Sequence, residues 1–223
     1  SSEGIEGLAC GDIDNDGDID IFLTGANYYL FVNELNSAGG VNPGNEFRFT
    51  PQGNNGVVVT AAQAPGNNGE GTTMVDIDSD GDLDIYINVN GAENMLLINQ
   101  LETSAQSSQT DNFLLFDIFE NRQTAGLPAG RRRYATGATI RLVNCEGEVI
   151  SGLREVNGGN GHGTQDSPRV HFGLPTDLTD DIIAEVFFPF LNGERVIVRR
   201  EITPDQIGQT INIISISCCS CTT

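Results

Sequence analysis

Apolar residues in this chain fall into short runs of about 4–8 positions, rich in Ile, Val, Phe, Leu and Tyr and separated by clusters of Gly, Asn, Pro and Asp. Almost no stretch carries the helical period, so the pattern predicts an all-β protein. The predicted strands cover 19–24, 28–34, 46–50, 56–61, 72–76, 83–89, 94–99, 112–120, 137–143, 148–155, 169–172, 182–188, 195–201 and 209–217. Asn90-Gly91 and Asn192-Gly193 are hairpin-turn dipeptides, and Thr203-Pro204-Asp205 starts one short helical turn. Periodicity vanishes over 102–111 (ETSAQSSQTD), which predicts a junction. The expected division is 1–101, a linker at 102–111, a second β domain at 112–206, and a terminal strand with a cysteine-rich tail at 207–223.

Two segments repeat one nine-residue pattern, Asp12-Ile-Asp14-Asn-Asp16-Gly17-Asp18-Ile-Asp20 and Asp76-Ile-Asp78-Ser-Asp80-Gly81-Asp82-Leu-Asp84. Each runs directly into a β-type stretch. At ~5 Å in water each like-charge pair costs about 0.8 kcal/mol, and such a loop holds many pairs. A hard divalent cation with oxygen ligands removes that cost, and Ca2+ accepts a crowded, flexible shell more readily than Mg2+. Asp12, Asp14 and Asp16, with Asp76, Asp78 and Asp80, are expected to turn inward, while Gly17 and Gly81 permit the sharp bend. Asp18 and Asp82 are expected to offer backbone carbonyls with their side chains outward. Asp20 and Asp84 close the shell. An EF-hand needs an acidic residue at position 12, where Leu23 and Ile87 stand instead, and strands rather than helices follow. Two calcium sites are expected, and their role is structural: at a Kd of roughly 10 µM in ~1 mM Ca2+ each would add about 2.7 kcal/mol.

The formal charge is −20, or −16 with two Ca2+ bound, which argues against nucleic acid and anionic membranes as partners. All 11 basic residues are Arg, so chemistry that requires Lys is excluded. No run of about 18 apolar residues exists to span a bilayer as a helix. The chain opens at Ser1-Ser2-Glu3, as a removed signal peptide or trimming would leave it. Millimolar calcium and the cysteine usage point to an extracellular setting.

There are five cysteines, Cys10, Cys145, Cys218, Cys219 and Cys221, an odd number that cannot pair completely within one chain. Three readings stay open: intrachain bridges with a spare thiol, intermolecular bridging by the tail, and soft-metal binding by the tail. His162 and His171 lack a partner at a known catalytic spacing and read as loop or core residues. Gly158–Gly163 lacks the Lys-Ser/Thr and helix of a phosphate cradle. Arg131–Arg133 reads as a solvated loop or a contact for an acidic partner, and Asp177, Asp180 and Asp181 as a turn or a weak cation site. Tyr28, Tyr29, Phe31 and Phe47 fit cross-strand packing or a sugar-stacking platform.

After each Asp loop come a strand, a turn and a second apolar strand ending near Asn, IFLTGANYYLFVNEL and IYINVNGAENMLLINQL, at an offset of 64 residues. Residues 1–101 resemble two calcium-binding repeats of the FG-GAP/VCBS type, the module of integrin-like β-propellers. The resemblance implies side-chain ligation by Asp12, Asp14, Asp16, Asp20, Asp76, Asp78, Asp80 and Asp84. Residues 112–206 resemble the ASPIC/UnbV domain through Asn121-Arg122, Gly137–Leu142, Asn157–Gln165, His171–Leu174 and the closing EVFFPFLNGERVIV hairpin. That likeness implies a secreted acidic protein with a sandwich-like second domain, associated with matrix, adhesion and calcium.

Two repeats cannot close a propeller, so sheet edges are left over. They invite either covering by the second domain or head-to-tail pairing of identical subunits into a filament, locked by disulfides. The expected function is therefore a secreted, non-enzymatic structural or adhesive protein that assembles with itself. The competing reading is a monomeric ligand- or carbohydrate-binding module, with matrix or glycans as partners. An enzyme would need a paired acid and base outside the Asp loops, which the sequence does not present.

Overall fold

The structure is a computed structural model that describes residues 4–33, 49–51, 69–99, 101, 112–120, 132–159, 161–174, 181–191 and 194–215. Its first half is one three-stranded unit used twice. The first copy runs β1 (Ile5–Gly11), the Asp loop, β2 (Asp20–Gly25) and β3 (Tyr29–Asn33), to which β4 (Phe49–Pro51) pairs. The second runs β5 (Gly69–Val75), the second Asp loop, β6 (Asp84–Val89) and β7 (Met95–Leu97). Both are antiparallel meanders, and the register slips at matching points, between Ile5 and Gly7 and between Gly69 and Gly71.

β1 was not predicted from the hydrophobic pattern because its inward positions are small. Gly7, Ala9 and Gly11 are buried while Ile5, Glu6, Leu8 and Cys10 are exposed. The smallness has a cause: a Cβ at Gly7 would stand 3.1 Å from the Gly71 Cα, so β1 and β5 pass almost backbone to backbone. Ala9, Ile13, Phe22, Val32, Met74, Leu83, Ile85 and Ile87 then form a core shared by both repeats.

The second half consists of β8 (Phe113–Glu120), β9 (Arg133–Tyr134), β10 (Thr139–Val143), β11 (Arg154–Glu155), β12 (Val170–Gly173), β13 (Ile182–Leu191), β14 (Glu194–Ile202) and β15 (Gln209–Ile214). They make two sheets, β11-β10-β13-β14 and β12-β8-β15, with β9 added to β8. Both sheets face one core that includes Leu114, Phe116, Ile140, Leu142, Phe172 and Val186. This is the sandwich-like arrangement expected of the second domain. β8 lies between β12 and β15 and is apolar on both faces, as a doubly covered strand should be.

The fold is all-β, and none of its sheets closes into a barrel. Its one described helical element is a 3-10 turn at Pro204–Gln206, where the Gln206 side chain accepts the Thr203 N–H at 3.2 Å. β15, the predicted terminal strand, pairs in parallel with β8 of its own chain. The predicted strand 148–155 reduces to a bridge at Val149 and the short β11, and Val149 and Leu153 are exposed. The turn at Asn90-Gly91 forms, but its loop continues to Met95, with Asn94 accepting the Val89 N–H. The predicted strand 56–61, the linker 102–111, Asn121-Arg122, Asn192-Gly193 and Cys218, Cys219 and Cys221 lie outside the described residues, as do Phe47, Arg131, Asp177 and Asp180.

Two buried carboxylates sit in the described second half: Asp117, paired with Arg169, and Glu185. The Glu185 carboxylate, 4 % exposed, takes Arg141 Nε at 2.8 Å on one oxygen and Arg199 Nε at 2.8 Å on the other. The Arg141 bonds, then those from Arg199, hold it below the ordinary 4.5 of a glutamate. A carboxylate depressed in the folded state adds stability above its unfolded pKa, and that stability is lost as pH falls through the lower folded value. Unfolding free energy should therefore drop below about pH 4.5, and E185Q should flatten that acid limb in denaturant titrations across pH.

Candidate metal centre

The two Asp loops adopt one backbone geometry. Gly17 and Gly81 have φ of 100° and 96°, and the preceding Asn15 and Ser79 also sit in the left-handed region, at 56° and 69°. Such values favour glycine, and Asn is the residue that best tolerates them otherwise. The bend gathers carboxylates. Oxygens of Asp12, Asp14 and Asp20 lie within 4.8 Å of one another in the first loop, as do those of Asp76, Asp78 and Asp80 in the second.

The ninth residue of each loop is tied to the strands around it. Asp20 accepts the Ile13 N–H at 2.8 Å and the Asn33 N–H at 2.7 Å, one on each oxygen. Asp84 repeats this with Ile77 at 3.0 Å and Asn99 at 2.8 Å. The expectation that the seventh side chains point outward is overturned. Asp18 is 7 % exposed and Asp82 is fully buried, where its Oδ2 accepts the Leu101 N–H at 3.1 Å.

Crowding and burial raise these carboxyls. Asp20 is pushed to about 9, by burial first and then by Asp14. Asp82 rises to about 7 and Asp84 to about 6, both chiefly through burial. Asp12 is raised well above its ordinary value by burial, Asp16 and Asp14, while Arg154 and the Gly17 N–H pull it back. A divalent cation would reverse these shifts, since it favours the ionised form of every ligand. The donor set, all oxygen and flexibly held, fits a hard cation. Asp12, Asp14 and Asp20, with Asp76, Asp78 and Asp80, are the residues that would hold it.

The loops differ in their cover. In the first, Asp12, Asp16, Asp18 and Asp20 are buried; in the second, Asp78 and Asp80 are exposed. The cover comes from residues that the sequence pattern did not single out for this place. Gly173 donates its N–H to Asp12 at 3.0 Å, and His171 Nε2 lies 3.0 Å from the Gly81 carbonyl. Asn15 reaches Gly81 O at 3.2 Å, and Asn99 donates to the Ile13 carbonyl at 2.8 Å, so the loops also bond to each other. No local motif marks these contacts, because each joins residues at least 66 positions apart. Gly173 has no room for a side chain, since a Cβ there would stand 2.5 Å from the Asn15 Cα. G173A should cost about 1–3 kcal/mol by overpacking, measurable as a lowered calorimetric melting temperature.

The other sequence candidates separate cleanly. His171 is half-buried, and desolvation of its ring drops it to about 4, so the imidazole is neutral. His162 is exposed and lies 3.3 Å from Glu70. Arg132 stacks over Phe119, and Arg133 lies in β9. Tyr28 stacks on Phe22, while Tyr29 and Phe31 line a small pocket of about 310 Å3. Asp181 uses its carbonyl to accept the Cys145 thiol at 3.4 Å. Cys10 is an exposed free thiol on β1, raised by partial burial and by Asp166 and Asp20.

Residues 128–209 match the family model described as ASPIC and UnbV. The match covers a little over a third of the chain, taking in β9 to β14 and the first residue of β15. It includes the Gly137–Leu142, Asn157–Gln165 and His171–Leu174 segments. No curated protein matches the sequence. Among the described residues no helix is long and apolar enough to cross a membrane.

Proposed function

We propose that this chain is a secreted, non-enzymatic structural or adhesive protein, held rigid by two Ca2+ ions and able to assemble with copies of itself. The carrying observation is the duplicated loop: two clusters of three carboxylates, each within 4.8 Å, on backbones of matching φ. Carboxylates so close together are unfavourable when ionised, the more so in the buried first loop, and a divalent cation is the group that turns the cost into a gain. The strand–loop–strand–turn–strand unit repeated around them supports kinship with the FG-GAP/VCBS repeats. The match to ASPIC and UnbV over 128–209 is in keeping with that pairing of modules. Open sheets support assembly, since β4, β7, β14 and β15 each end a described sheet and strand edges pair readily. Calorimetric titration of Ca2+ into decalcified protein should give two ions per chain, with D14A and D78A each removing one. A stoichiometry of zero would overturn the reading. For assembly, negative-stain microscopy should show fibres that fall apart with chelator plus reductant; monomers alone under native conditions would overturn that part.

A further inference from the structure

A cleft of about 690 Å3 separates the two halves of the molecule. That lies within the range of roughly 300–1,000 Å3 usual for small-ligand sites, and a domain junction is a common place for one. One wall is β1 and β5, contributing Leu8, Cys10 and Met74; the other is formed by residues around Arg154 and His171. The rim is open and mixed: Leu8 and Leu153 are 53 % and 60 % exposed, beside the exposed Glu6 and Glu155.

Two polar groups on its lining are unspent. Arg154 stacks its guanidinium over Phe172 at 5.2 Å and makes no ion pair among the described residues, and its buried Nε has no hydrogen-bond partner. Asp12 and Asp18 act on it electrostatically. His171 offers the complementary atom. Its Nε2 faces the Gly81 carbonyl and must carry the hydrogen, which leaves Nδ1 as an acceptor, buried and without a partner. Arg169, the other guanidinium on the lining, is engaged by both oxygens of Asp117 at 3.1 and 3.0 Å.

Charge narrows the ligand. Glu6, Glu155 and Asp166 line the cleft in addition to Asp12 and Asp76, so carboxylates outnumber guanidinium groups and an anion is disfavoured. A cation would meet the unpaired Arg154. A hydroxyl both donates and accepts, so one admitted by a small shift of the side chains that shield these two atoms satisfies His171 Nδ1 and Arg154 alike, and the carboxylates accept from further hydroxyls. Leu8 and Leu153 suit the C–H faces of a sugar ring, and the carboxylates beside them suit its hydroxyls. We propose that this cleft binds a neutral saccharide, with Arg154 and His171 at its floor and Leu8 and Leu153 at its mouth. The inference does not rest on the calcium reading, because Arg154 and His171 lie outside the Asp loops and Glu6, Glu155 and Asp166 alone outnumber the two guanidinium groups.

Cys10 provides the readout, since its thiol lines the cleft, whereas Cys145 lies beside Asp181 and serves as an internal control. Neutral gluco-, galacto-, manno- and xylo-oligosaccharides, with galacturonate oligomers and spermidine as charged controls, would be added during alkylation by iodoacetamide. Labelling would be followed by peptide mass analysis. At least one neutral series should slow alkylation of Cys10 five-fold or more and leave Cys145 unchanged. Saturation-transfer NMR should show the same sugars in contact with the protein. R154M should abolish the protection. L153S, at an exposed position and with unchanged melting temperature, should weaken it at least three-fold. Protection by the charged probes alone, no protection by any neutral series, or equal protection in both variants would overturn the proposal.

Discussion

On the proposed calcium reading, chelation should lower the melting temperature of this protein by roughly 10–20 °C. The figure follows from two sites, each adding about 2.7 kcal/mol when the free ion stands at 100 times its Kd, and a shift of about 2–4 °C per kcal/mol for a chain of this size. The shift grows with the logarithm of calcium concentration, which distinguishes a bound ion from a general salt effect. Magnesium at the same concentration restores only part of it, because the smaller ion demands near-octahedral geometry and gives up water reluctantly. Differential scanning calorimetry is the suitable measurement, since the chain has no Trp. An unchanged transition after chelation would remove the cations from the account of stability.

The strands that bury one face were legible because their side chains report it. β6 alternates along most of its length, with Ile85, Ile87 and Val89 on the core side, whereas β2 sends only Phe22 of its Ile21-Phe22-Leu23 run into that core. β1 was hidden, since what it buries is glycine and alanine, whose smallness serves the approach of β5 and carries no hydrophobic signal. The Asp loops were legible as backbone: Gly at the sixth position does take a positive φ in both. Their surroundings were not. Nothing near Asp12 in sequence announces Gly173, and nothing near Gly81 announces His171, because sheet packing brings those residues together. The seventh aspartates show the limit of reasoning by analogy. The two loops were expected to turn those side chains to solvent, but the meander leaves Asp82 beneath Leu101, where a backbone N–H needs an acceptor. The parallel pairing of β15 with β8 was equally invisible, since alternation gives a strand a buried face but does not name its neighbour.

Asp20 and Asp78 belong to equivalent loops, yet their replacement by alanine gives opposite results once calcium is removed. Asp20 is fully buried and satisfies two backbone N–H groups, those of Ile13 and Asn33. D20A leaves both donors buried without an acceptor, at about 1–3 kcal/mol each, and also forfeits the binding energy of an ion. The loss is about 5 kcal/mol or more in calcium, comparable to the whole stability of many domains. In chelator part of the penalty remains, because the stranded donors do not depend on the ion, while removal of a carboxyl pushed up to about 9 by burial and Asp14 offsets the rest. Asp78 is exposed, lies among Asp76 and Asp80, and serves the cluster alone. D78A costs about 2.7 kcal/mol in calcium at most, through the lost site. In chelator it costs nothing or stabilises slightly, since one like charge leaves a crowded loop. Urea titrations of both variants with and without calcium separate the two roles, and D20N, which keeps one acceptor oxygen, should fall between them. Equal losses for D20A and D78A in chelator would mean that the hydrogen bonds to Ile13 and Asn33 do not carry the first repeat.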